Sequence, residues 1–258
     1  MCATGYGTLG RPSMVGESPY GSCDKGGIVN RMLIPAAAAV LLCAAVSAGQ
    51  KSEVGDRVVS SAIVLKEIAG IPEQGIPQDL LGKASCIAVV PSMIKAGFIA
   101  AGNYGKGVMS CRLQGGTGPW SPPSMIMVGG GSFGLQLGVQ ATDLILVIMN
   151  LSGLESLLGS RFTLGGDVSV AAGPVGRTAA AETDAFLSAK ILAYSRARGL
   201  FAGVSLKGGV VRPDVDAIQV LYGKPLEPRT ILFEGVAEIP RDAQIFVDEL
   251  NRLSPAKK

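Results

Sequence analysis

The chain of 258 residues is 48% hydrophobic and only 17% charged, with 36 glycines and a formal net charge of +3. That excludes a disordered chain, which is polar and highly charged, and a dedicated nucleic-acid binder, which is far more basic. Histidine is absent, so no imidazole general base and no His-ligated metal or haem site can be built.

Residues 1–31 are rich in Gly, Ser and Pro and show no apolar period. Met32 to Ala48 is then almost unbroken apolar sequence behind Arg31. The run is short for a membrane span of about 20 residues, and Val46-Ser47-Ala48 supplies the small residues that precede a signal-peptidase cut. The expectation is a leader and signal peptide over 1–48, with an uncleaved N-terminal anchor as the alternative. Residues 49–258 would then be the mature domain of an exported protein, periplasmic or associated with the cell envelope. This part carries 20 basic and 18 acidic residues, a net charge of +2. Of the five cysteines only Cys86 and Cys111 lie in it, in no metal spacing. They form either one disulfide, as an oxidising compartment permits, or two buried thiols.

Val54, Val58, Ala62, Leu65 and Ile68 recur at steps of four and three, the apolar stripe of an amphipathic helix over 53–69. The stripe docks on the domain or lies on a membrane surface. A short helical turn near Pro77–Leu81 follows. Ser85–Pro91 is an apolar run that the proline is expected to stop. Glycine-punctuated segments lead to Trp120-Ser121-Pro122-Pro123, a rigid connection, because proline fixes its own φ and disfavours helix just before it.

Gly129–Gly134, GGGSFG, matches two catalytic patterns by letter: a dinucleotide-binding G-x-G-x-x-G, and a nucleophile elbow centred on Ser132. Both require a helix immediately afterwards. From Ser132 to Gln140 the sequence instead alternates polar and apolar residues, the period of a strand, so both matches are read as accidents of glycine content. Thr142–Asn150 is a continuous apolar run that suits a strand buried on both faces. Leu154–Gly159 reads as a helical turn. Phe162–Pro174 and Leu200–Leu206 alternate again. Pro213 opens a helix with Val215, Ile218 and Tyr222 inward and Gly223 ending it. A last helix over about 240–253 presents Ile239, Ala243, Phe246, Leu250 and Leu253, with a loose tail from Pro255. The expected fold is α+β: one domain, an antiparallel glycine-rich sheet of about six to eight strands, closed or nearly so, flanked by N- and C-terminal helices.

A series of short motifs occurs in order: Ala96-Gly97-Phe98, Asn103-Tyr104-Gly105-Lys106-Gly107, Trp120-Ser121-Pro122-Pro123, Gly131-Ser132-Phe133-Gly134, Gln140 with Thr142-Asp143, Gly165-Gly166-Asp167, Gly173-Pro174, and Tyr194-Ser195-Arg196 with Gly199-Leu200-Phe201-Ala202-Gly203. This series resembles the SYLF domain family over roughly residues 53–223. The resemblance implies a non-enzymatic domain that binds membrane lipid. In eukaryotic relatives the ligands are phosphoinositides, an N-terminal amphipathic helix assists, and some relatives bind actin. The signal-like leader makes this chain similar to the exported bacterial type.

The candidate anion-binding residues are Lys106, Arg177, Arg196 and Arg198. Lys106 sits between glycines whose lack of side chains lets backbone N–H groups approach an anion. Arg196 and Arg198 flank Ala197 and point the same way in an extended segment, where a guanidinium clamps phosphate through paired hydrogen bonds. Arg177 follows Gly173-Pro174-Val175-Gly176. Asp143 and Asp167 are read as caps on turn backbone rather than as an acid–base pair. Tyr104, Trp120 and Tyr194 are candidates for an interfacial aromatic rim. The expected partner is anionic membrane lipid, with protein filaments or self-association as alternatives. No catalytic residue, metal or cofactor is expected, and no nucleic acid.

Overall fold

The computed structural model describes residues 36–69, 75–97, 100–133, 138–151, 161–174, 189–197, 200–203, 206 and 208–256. The chain divides into two units, Met1–Leu41 and Leu42–Lys258. Of the first only the helical residues 36–41 are described, and all that follows concerns the second. The amphipathic run lies in a longer helix, α1 (Ala36–Ala69). Its stripe is docked: Val54, Val58, Ala62 and Leu65 are all buried in one core. Among the described residues no helix is long and apolar enough to cross a membrane.

After α2 (Gln78–Lys83) come β1 (Cys86–Gly97), β2 (Ala100–Cys111), β3 (Ser124–Phe133) and β4 (Gly138–Ile148). The remaining strands are β5 (Phe162–Thr163), β6 (Val170–Ala172), β7 (Ile191–Ala197), β8 (Leu200–Gly203) and β9 (Val210–Pro213). Among the described residues they form one nine-stranded sheet, ordered β5-β9-β3-β2-β1-β4-β7-β6, with β8 beside the second half of β7. Pairing is antiparallel throughout except between β6 and β7. The expected antiparallel α+β sheet is therefore present, open rather than closed among the described residues.

The order β3-β2-β1-β4 is a Greek key, three successive strands and a fourth that returns beside the first. The alternating run Ser132–Gln140, expected as one strand, is thus the end of β3 and the start of β4 on either side of residues 134–137. Alternation reports which face a residue takes, not which neighbour its strand pairs with.

The period of two sorts the side chains into two cores. Ile87, Val89, Val108, Met125, Ile145, Val147 and Leu192 face α1, α3 (Val215–Tyr222) and α4 (Gln244–Leu253). Ala88, Val90, Met109, Ile126, Leu144, Leu146 and Ile148 face Phe162, Leu164, Leu206 and Leu232 on the other side. Burial on both faces explains the unbroken apolar run of β4.

The C-terminal end of α3 follows its sequence signal, whereas Pro213, expected to open the helix, ends β9 and the helix starts behind Asp214. The Asp214 side chain accepts from the Ala217 N–H at 3.3 Å, and Gly223 closes the helix in the left-handed region at φ 69°. Its inward residues are Ala217, Ile218 and Leu221, whereas Val215, expected inward, is exposed. The last helix begins with a 3₁₀ turn, Arg241–Ala243, and buries Phe246, Val247, Leu250 and Leu253. Cys86 and Cys111, directly opposed in β1 and β2, are bonded as a buried disulfide. The helical turn expected at Leu154–Gly159 lies outside the described residues.

Candidate functional site

β1 does not stop at Pro91 but runs on to Gly97, and the proline sits in a bulge. Four residues of β1, 90–93, oppose three of β2, 105–107, between the pairs Val89↔Val108 and Ile94↔Tyr104. A bulge leaves a residue out of the ladder, which is where a proline without an N–H is tolerated. Ser92 takes φ 51° there, and its N–H donates to Asp143 Oδ1 at 2.9 Å.

The bulge explains the Gly-Lys-Gly signature. A Cβ on Gly107 would stand 2.2 Å from the Val89 carbonyl oxygen, and one on Gly105 would stand 2.5 Å from Val90 Cγ1. The glycines make room for the folded-in β1 backbone, while their own strand is paired with β3 at Val128 and Ile126. They do not form an open anion cradle. Lys106 itself points to the α1 face, since it is two residues from Val108.

Two ion-pair groups hold α1 on this face. Near one end Arg57 pairs with Asp214 at 3.1 Å and with Glu53 at 3.2 Å, and Lys106, 37% exposed, reaches Asp214 at 3.8 Å. Near the other end Arg196 pairs with Glu67 of α1 and with Asp143, its neighbour across the β4–β7 ladder, at 2.6 Å. Ten residues of helix from 57 to 67 span about 15 Å. Three inter-strand steps from β2 to β7 cover about 14 Å, so α1 crosses the strands. Lys106 and Arg196 therefore share a face but stand three strands apart, and Arg196 is committed to two carboxylates. Burial pulls its guanidinium pKa below the ordinary value. Arg177 and Arg198 lie outside the described residues.

Of the aromatic candidates only Tyr104 is exposed, at 50%, whereas Trp120 and Tyr194 are buried. Burial raises the Tyr194 phenol pKa well above its usual value. Ser132 lies inside β3, with no helix after it. Asp143 and Asp167 both bond backbone, Asp143 to Ser92 and Asp167 to the Thr163 N–H at 2.8 Å. They act as the caps the sequence suggests.

Residues 129–253 match the family model described as "Ysc84: Las17-binding protein actin regulator". The chain carries a domain of the Ysc84/SYLF family. It is 36% identical over 195 residues to LAS seventeen-binding protein 3 of Saccharomyces cerevisiae, covering 74% of this chain and 41% of that protein. It is 36% identical to Protein YSC84 of the same yeast, over 71% of this chain and 39% of the relative. It is 33% identical to SH3 domain-containing YSC84-like protein 1 of Mus musculus, over 74% and 57%. The chain thus spans about half or less of the length of these relatives.

The SYLF-family domain also contains a cluster that sequence reasoning missed. Arg112, fully buried, has no carboxylate partner among the described residues. It donates to the carbonyls of Gly118 at 3.1 Å, Ser254 at 2.7 Å and Pro255 at 3.0 Å, and to Ser254 Oγ at 2.6 Å. Its guanidinium lies 4.4 Å from the centre of the Trp120 ring. Trp120 Nε1 also donates to the Ser254 carbonyl, at 2.9 Å, and Ser254 Oγ donates to the Leu81 carbonyl at 2.7 Å. The tail expected to be loose is clamped through Pro255. Burial lowers the Arg112 pKa in turn.

Proposed function

We propose that this chain is a non-enzymatic module that associates with anionic phospholipid at a membrane surface. The observation that carries the reading is the pairing of Lys106, partly exposed, with a half-exposed Tyr104 on the same strand face. A cation beside an amphipathic ring suits an interface where charged headgroups overlie apolar chains. Membership of the SYLF family supports it. The α1 stripe does not contribute apolar area, because it is spent on the sheet. The buried Cys86–Cys111 disulfide supports export to an oxidising compartment, with residues 1–48 as the leader.

The test is co-sedimentation of the full chain with neutral and anionic vesicles at low and high salt. Binding to anionic vesicles that weakens with salt is expected, since exposed charges are screened. Absence of binding to either vesicle would overturn the reading. A protein partner would then take its place, as the family description of an actin regulator favours, and co-sedimentation with actin filaments would test that.

A further inference from the structure

We propose that the sheet face beyond the reach of α1 is the surface that meets the anionic bilayer. Ile94 and Tyr104 enter the interface, and Arg212 and Lys106 lie on the headgroup phosphates. This rests on the lipid-binding reading and adds to it a defined face and orientation.

The register builds the patch. Directly opposed residues in neighbouring strands share a face, and so do residues two apart in one strand. One row across the sheet is therefore Val210, Gly129, Tyr104, Ile94 and Ala141. The next row toward the helices holds Arg212, Met127 and Lys106. On this same face Val89 and Val108 are fully buried, while Ile94 and Tyr104 are each 50% exposed. Among the described residues nothing packs over Gly129 beside the Tyr104 ring: a Cβ there would meet only the Asn103 carbonyl oxygen, at 3.8 Å. The Tyr104 hydroxyl reaches no further than Met127 Sδ at 3.5 Å.

The charges at the rim choose the occupant. Arg212 is exposed and forms no ion pair among the described residues, its guanidinium approaching only Met127 Sδ at 3.7 Å. Lys106 has the long contact to Asp214, a carboxylate 3% exposed and shared with Arg57. Asp143, further along the face, is held by Arg196 and the Ser92 N–H. The accessible charge beside the apolar pair is thus positive. Two apolar side chains fall far short of the roughly 800 Å² per partner that a stable protein interface buries. At a bilayer a contact of that size suffices, because apolar insertion and cation–phosphate attraction add without a shape-matched partner.

The experiment uses the full chain with phosphatidylcholine vesicles containing phosphatidylglycerol, some of them carrying doxyl-labelled acyl chains. The indole introduced by Tyr104→Trp should shift to the blue and be quenched by the doxyl lipid, whereas Trp120, buried in the wild type, should not respond. Arg212→Gln should weaken partitioning about fivefold at low salt, the contribution of one cation near a charged surface. Ile94→Thr should also weaken it, with the melting temperature of each variant unchanged. If the wild type binds these vesicles but the indole stays unquenched, or both variants partition like wild type, the face is wrong and the lipid reading stands. If the wild type does not bind, both fall.

Discussion

The two ends of the β1–β2 hairpin treat arginine and aromatic side chains in opposite ways. At the end where β2 stops, Arg112 is fully buried, every acceptor around it is fixed backbone or hydroxyl, and Trp120 covers its face. Toward the other end Tyr104 is half in water, and neighbouring Arg212 has only a sulfur within reach. A buried cation is tolerated where the fold supplies acceptors for it, and it then belongs to the structure. A cation left with water as its main partner is available to a ligand. Under the lipid-binding proposal, one end of the hairpin serves stability and the other recognition.

The largest stability loss is expected where acceptors would be stranded. Arg112→Ala leaves the Gly118 and Pro255 carbonyls without their donor and opens a void beside Trp120. The expected cost is about 4 kcal/mol in urea unfolding. A loss under about 1 kcal/mol would mean that the C-terminal segment is held by α4 packing alone. Next comes the disulfide at the same end, with its sequence separation of 25. Replacing both cysteines by alanine should cost about 3 kcal/mol. Because both sulfurs are buried, reductant should act on the native protein only when some denaturant is added.

Between the two ends lies the Asp214 junction, and its variants sharpen the contrast. Asp214 caps α3 and also neutralises Arg57 and Lys106. Asp214→Ala removes both roles and should cost about 2 kcal/mol, whereas Asp214→Asn keeps a capping oxygen and should cost about half of that. Equal losses in the two variants would show that the helix cap is irrelevant and the charge is everything.

Local signals carried much of this molecule. The 53–69 stripe, the Gly223 end of α3 and the apolar run of β4 each depend on neighbours within a few residues, so their spacing was readable. The bulge was not. Pro91 looks like a strand stop because its tolerance depends on which residues of β2 and β4 oppose it, and pairing is not written in the run itself. The same gap hid the roles of Gly105 and Gly107, whose missing side chains answer to Val89 and Val90 in another strand. Lys106 and Arg196 were legible as cations, but their separation is set by the Greek key. Arg112 was invisible because its compensation comes from Ser254 and Pro255, 142 and 143 residues away. The one available hint was an arginine directly after a buried strand, with the chain's single tryptophan eight positions on.

The smallest stability effect is expected where the change in function should be greatest. Tyr104→Thr puts a β-branched residue, which suits a strand as well as an aromatic does, at a position already half exposed, and among the described residues nothing packs on Gly129 beside it except the Asn103 carbonyl oxygen. Its unfolding free energy should move by no more than about 0.5 kcal/mol. Vesicle binding should fall nonetheless, because the ring is the larger of the two exposed apolar groups on that face. Arg112→Ala should do the reverse under conditions where it remains folded, losing stability while its partitioning into anionic vesicles is unchanged. A tip variant that unfolds, or a clamp variant that is stable but no longer binds vesicles, would break the separation of roles between the two ends. If both behave as stated, the proposed lipid-facing surface of this chain is a matter of which side chains the sheet leaves uncovered, and the docked face of α1 is part of the core.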